Sequence, residues 1–220
     1  MRLVEHIIGF IVLSLGIVFV INAKLGAGSM DAFNYYLTQL IKDDSNIITL
    51  GRVAILNGTF AAVLAYLISK DKKVFISLIY IFIVGNFIDM WQWAFNYVPI
   101  NIYDQLHERL ILSSFGVIII SFGVSMTLMS GHRPSPFESL LMALDKKIGN
   151  IAITKILIDG SYLIAAFILG FIYGHVFEQI GLFTIVLTFL TGVLVKHFSN
   201  QIHRFKSRKG AKENVIKQTY

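Results

Sequence analysis

The chain contains no cysteine, only three prolines, and little charge: 15% of its 220 residues are Asp, Glu, Lys or Arg. Without cysteine there is no disulfide, no thiol nucleophile and no cysteine-ligated metal. No zincin helix motif, phosphate-cradling Walker loop or nucleophile elbow is present either. Neither enzyme activity nor a cofactor is therefore expected. The six histidines (His6, His107, His132, His175, His197 and His203) show no metal-ligand spacing. They read as interfacial side chains near span ends. Soluble domains average about 25% charged and roughly 45–50% apolar residues. At 55% hydrophobic and a mean hydropathy of +0.70, this chain is not an ordinary soluble domain.

What charge there is has a definite place. Seven basic residues (Lys196, Arg204, Lys206, Arg208, Lys209, Lys212 and Lys217) stand against Glu213 alone in the last 25 residues, and together they account for the whole formal charge of +6. The rest of the chain balances twelve basic against twelve acidic side chains. Phe198, Ile202 and Phe205 recur at helical spacing among the tail's basic residues. That pattern predicts an amphipathic helix lying on a membrane surface in contact with anionic lipid. So short a tail does not suit nucleic acid.

Six continuous apolar runs are long enough to cross a bilayer core, which takes about 20 helical residues. They lie at about 7–23, 47–68, 74–98, 110–129, 151–173 and 177–195. The first is too long for a signal-peptide core, and Glu5 sits in its leading segment. Basic residues set the orientation. A cytoplasmic tail puts the N-terminus, Lys70–Lys73, and Arg133, Lys146 and Lys147 on the same side. The opposite side keeps only Lys24, Lys42 and Arg109, with Trp91, Trp93, Tyr97 and Tyr103 as an aromatic belt.

The chain also repeats itself. Gly9–Gly16 matches Gly116–Gly123 at an offset of 107, and Gly28-Ser29-Met30-Asp31 falls on Ser135-Pro136-Phe137-Glu138. Asn46–Thr49 lies near Asn150–Thr154, and Gly85 meets Gly192. Each unit has three spans, so the second enters the membrane from the opposite side. The expected architecture is an all-α membrane protein with six transmembrane helices in two inverted three-helix repeats, at about 7–98 and 110–197. The membrane domain covers 1–198 and the basic tail 199–220. Each repeat carries a short helix after its first span. In the first, Gly26 and Gly28 allow a sharp turn. In the second, Ser135 and Glu138 form a capping box with Pro136 at the first helical position. These short helices are re-entrant or interfacial.

Ionisable side chains inside a membrane are costly and mark candidate sites. Here they are Asp31, Arg52, Asp89, Glu138, Lys155 and Asp159, with Asn57 as a polar companion. Lys155 and Asp159 share a helical face at i, i+4. Gly26, Gly28, Ser29 and Ser135 would bring the positive ends of two half-helices to the same place. The pattern predicts a midplane polar site for a small anionic or zwitterionic solute. The competing readings are capping for Asp31 and Glu138, snorkelling for Arg52 and an interfacial position for Asp89. Gly9, Gly16, Gly116 and Gly123 leave smooth faces for close helix packing.

Ala23-Lys24-Leu25-Gly26-Ala27-Gly28-Ser29-Met30-Asp31 and Val84-Gly85-Asn86-Phe87-Ile88-Asp89 resemble the YczE/YyaS/YitT group of bacterial integral membrane proteins. The resemblance covers most of residues 7–198 and implies a polytopic plasma-membrane protein, with no substrate attached. The second copy departs by having Arg133-Pro134-Ser135-Pro136 in place of the glycines and Lys196 where the first copy reaches Asp89. A small-solute transporter is the leading expectation. A non-transporting accessory protein, holding a partner or anionic lipid through its tail, is the alternative.

Overall fold

The computed structural model describes residues 2–42, 47–99, 104–132 and 134–218. Asn46, Tyr103 and Arg133 lie outside these residues, as do the side chains of Arg208, Lys209, Lys212, Glu213 and Lys217.

Among the described residues all regular structure is helical: α1 (Arg2–Ala23), α2 (Ser29–Ile41), α3 (Leu50–Ser69), α4 (Ser77–Phe95), α5 (Leu106–Met129), α6 (Pro136–Ile148), α7 (Ile151–Tyr173) and α8 (Leu182–Gln218). Short 3-10 turns precede α4 and α8. Six helices are long and apolar enough to cross a membrane, as the hydropathy pattern requires. At 13 residues each, α2 and α6 are about 20 Å long, short of a core about 30 Å thick.

The boundaries follow local chemistry. α1 ends where Lys24 and Gly26 take positive φ, of 52° and 127°. The predicted capping box opens α6, with Ser135 Oγ accepting from Glu138 N–H at 3.3 Å and Glu138 Oε2 from Ser135 N–H at 3.0 Å. The Asn150 side chain caps α7. The last span begins later than its hydropathy suggests, because residues 176–178 form a 3-10 turn. At its other end α8 runs unbroken past position 198. Lys and Arg are good helix formers and no proline intervenes, so the basic tail continues the span instead of forming a separate surface-lying helix.

The centre of the bundle is the crossing of α1 and α5. Gly9 lies against Gly123 and Gly16 against Gly116, a register that makes the two helices antiparallel. A methyl group built on Gly16 would come within 2.8 Å of the Gly116 carbonyl oxygen, so side chains cannot enter this seam. Around it α4 packs on α1 and α8 on α5, α2 lies along α7, and α6 lies along α3. α3 also packs closely on α4, whereas α7 and α8 make no comparable contact. Val18, Ala27, Tyr36 and Ile88 are buried in the main core. A second core joins Ala61, Ala62 and Ala65 of α3 to Leu140 and Ala143 of α6.

The Lys206 ammonium reaches Glu5 at 2.6 Å and the Met129 carbonyl at 3.1 Å, placing the tail beside the N-terminus. His6 departs from the interfacial expectation. It is 1% exposed, with Nδ1 2.8 Å from Ser130 Oγ and 3.2 Å from the Thr127 carbonyl, because a ring one turn from the start of α1 faces α5. At the far end Trp93 and Tyr97 are exposed and in edge contact. Trp91 turns inward and donates to the Ile11 carbonyl.

Candidate functional site

The three side chains at the heart of the candidate site are all uncharged, and two of them, Asn34 and Tyr162, are of ordinary appearance in the sequence. Tyr162, on α7, donates its hydroxyl to Asn57 Oδ1 at 2.7 Å. Asn57, on α3, donates through Nδ2 to Asn34 Oδ1 on α2 at 2.8 Å. Asn34 and Asn57 are buried. Phe33 from the first half of α2 and Phe137 from the first turn of α6 both meet the Tyr162 ring edge-on, at centroid distances of 5.5 and 6.2 Å. The N-terminal halves of the two short helices therefore meet at one aromatic ring, eight residues into α3 and twelve into α7.

Beside this junction lies a cavity of about 240 Å³. Met30, Ser135, Phe137, Glu138, Lys155 and Asp159 line it, together with Phe10 and Leu13 of α1 and Val124 and Thr127 of α5. The Lys155 ammonium and the Asp159 carboxylate pair at 2.9 Å. This is the i, i+4 contact their spacing predicts.

The sequence-selected residues thus divide. Ser135, Glu138, Lys155 and Asp159 share the cavity, and Asn57 lies in the adjoining hydrogen-bonded chain. Gly28, Ser29 and Asp31 form the start of α2, next to the cavity-lining Met30. Gly28 offers α2 no side-chain cap. Desolvation at this turn pushes the Asp31 carboxyl up to about 6.

Gly26, Arg52 and Asp89 lie elsewhere. Gly26 is packed against Thr184 at the start of α8. Arg52 is exposed and its guanidinium turns back to the Ile47 carbonyl. Asp89 accepts from the Thr49 hydroxyl at 2.6 Å and from Gly51 N–H at 2.7 Å, so it caps α3 from the neighbouring helix.

The far end of the bundle carries a second polar network. Tyr35 donates to Glu178 at 2.7 Å and Lys24 pairs with Glu178 at 3.2 Å. Tyr36 donates to the Val176 carbonyl and accepts from Gln179 N–H at 2.8 Å. Gln179 is fully buried and donates to the Ile21 carbonyl. Burial alone would raise the Glu178 carboxyl. The hydrogen bonds from Tyr35 and Lys24, with the charges of Lys24 and His175, outweigh it and hold the carboxyl below its ordinary range. Burial also pushes the Tyr36 hydroxyl up to about 12. Arg109, at the start of α5, closes the end of α1 by donating to the carbonyls of Ala23 and Lys24, both at 2.6 Å.

A search confined to ionisable groups misses Asn34 and Tyr162. The available signal was spacing: Asp31, Asn34, Tyr35 and Thr38 recur at i, i+3, i+4 and i+7 on α2, and Lys155, Asp159 and Tyr162 at i, i+4 and i+7 on α7.

The chain is 26% identical over 215 residues to the uncharacterized protein YyaS of Bacillus subtilis (strain 168), covering 96% of this chain and 100% of that one. It is 27% identical over 198 residues to the uncharacterized membrane protein YczE of the same organism, covering 89% of this chain and 84% of that one. These relatives agree with the resemblance carried by the glycine-rich segments. No solved structure matches the chain. Residues 1–200 match a family of unknown function, DUF6198, and the chain belongs to that family.

Proposed function

We propose that this protein is a small-solute transporter or permease of the bacterial plasma membrane, built from two inverted repeats, α1–α4 and α5–α8. The observation that carries the reading is the convergence of α2 and α6. Both short helices begin beside Tyr162 and next to one cavity, as half-helices do at a midplane substrate site. In this reading they are re-entrant, and their positive ends and the Lys155–Asp159 pair face the solute.

Exchanged packing supports the repeat. α2 lies on α7 as α6 lies on α3, α1 and α4 pair as α5 and α8 do, and the glycines of the central crossing pair across the two copies. The halves are unequal in one respect. Asp89 latches α4 to the start of α3, and Lys196 occupies the equivalent position in α8. A cation is repelled by a helix N-terminus, which leaves α7 free of α8 and able to move against the latched half. The excess of basic residues near the tail end assigns that end to the cytoplasm.

The test is solute flux into proteoliposomes holding the full chain. Asp159→Asn and Asn57→Leu should each lower a detected flux at least tenfold, while Arg52→Ala leaves it unchanged. Flux indifferent to the first two variants would overturn the site. The accessory reading instead requires a copurifying protein that is lost on truncation after His197.

A further inference from the structure

The cavity is lined by residues of two kinds, and together they specify a solute. Phe10, Leu13, Val124, Leu141 and Ile158 supply apolar surface, and Ser135, Glu138, Lys155 and Asp159 supply polar groups that can meet charge of either sign. Glu138 spends Oε2 on the Ser135 N–H, and Asp159 spends Oδ2 on Lys155. Glu138 Oε1 and Asp159 Oδ1 have no partner among the described residues and can each accept from an ammonium. Lys155 keeps two N–H donors beyond its bond to Asp159, and the Ser135 hydroxyl keeps its proton, so a carboxylate can also be held. The formal charge of the lining groups is −1, and the positive end of α6, worth roughly half a charge, partly offsets it. A net cation or a net anion would leave one set of these groups without a counter-charge. A zwitterion satisfies both.

We propose that the cavity binds a small amphipathic zwitterion, with an ammonium on Glu138 and Asp159, a carboxylate on Lys155 and Ser135, and an apolar body between Phe10, Val124 and Ile158. The assignment rests on the transport reading of this cavity and narrows it. With each water occupying about 30 Å³, a cavity of about 240 Å³ has room for a solute of roughly eight non-hydrogen atoms. That is the size of a branched aliphatic amino acid.

The experiment is equilibrium binding of radiolabelled L-leucine to the purified full chain in detergent. Two competitors dissect the head group: 4-methylpentanoate lacks the ammonium, and 3-methylbutylammonium lacks the carboxylate. Unlabelled leucine should displace the label at a concentration at least tenfold below either analogue. Glu138→Gln removes one charge and keeps a side chain able to cap α6. It should weaken leucine at least tenfold and leave 4-methylpentanoate unchanged. Absence of leucine binding, or equal competition by either analogue, overturns the assignment. Flux of another solute class without leucine binding would reject this solute and keep the transporter. Leucine binding without flux would do the reverse.

Discussion

The Asp89 carboxylate accepts the Thr49 hydroxyl at 2.6 Å, joining the C-terminal part of α4 to the N-cap of α3. The same carboxylate takes the Gly51 N–H, so one side chain both caps a helix and fastens two helices together. Losing such a part-buried, charge-assisted cap costs about 1–3 kcal/mol. Asp89→Ala should lower the melting temperature of the detergent-solubilised protein by several degrees, and Lys196→Ala should leave it unchanged.

The glycines of the bundle should separate into two groups on substitution. A methyl group on Gly51 would lie 1.9 Å from the Gly85 carbonyl oxygen, whereas one on Gly160 meets nothing within 4 Å. Gly51→Ala forces α3 away from α4 and should cost at least about 1–3 kcal/mol. Gly160→Ala should be neutral or stabilise by about 0.5–1 kcal/mol through helix propensity. Thermal unfolding of the two variants side by side reads the difference.

Tyr162→Phe removes the donor to Asn57 Oδ1 and keeps the ring between Phe33 and Phe137. Leaving one buried acceptor unpaired costs about 1–3 kcal/mol. The variant should fold, melt earlier and lose solute flux. A variant with unchanged stability would show that the chain through Asn34, Asn57 and Tyr162 is not closed.

Two carboxyls impose opposite pH dependences on stability. Asp31 is raised from 3.8 to about 6, so between these values the folded protein keeps a proton the unfolded chain releases. Stability therefore falls as pH rises from about 4 to about 6 and is level above. Asp31→Asn should abolish that slope and stabilise the protein above pH 6 by at most about 3 kcal/mol. Glu178 is lowered, so its contribution is present at neutral pH and is lost as pH falls below about 4.5. Tyr35→Phe should weaken that acid-side loss. Melting curves from pH 3.5 to 7.5 separate the two effects.

The architecture was legible because the bilayer demands long apolar helices, and because Ser135, Pro136 and Glu138 announce the start of α6 by cap chemistry alone. One contact of the candidate site was legible for a related reason: Lys155 and Asp159 are conspicuous in an apolar run and their spacing sets their pairing. Asp89 was equally conspicuous, yet it serves a helix start. Only the fold tells a carboxylate aimed at a cavity from one aimed at backbone N–H groups. Asn34 and Tyr162 stayed hidden because their meaning comes from the approach of α2, α3 and α7, which no local pattern encodes. The tail misled in one respect, since hydrophobic and basic periodicity describes a helix and not its direction.

That direction has a mechanical consequence. The 37 residues of α8 extend about 55 Å, against a membrane core about 30 Å thick. The rod is gripped at two points roughly 16 Å apart: Ser125 of α5 donates to the Val195 carbonyl, and Lys206 holds Glu5 of α1 and the Met129 carbonyl. A lever clamped in this way delivers a push at its protruding end to α1 and α5 together, the two helices whose backbones touch at Gly9, Gly16, Gly116 and Gly123. Anything that gripped the basic end would load both of these helices at once.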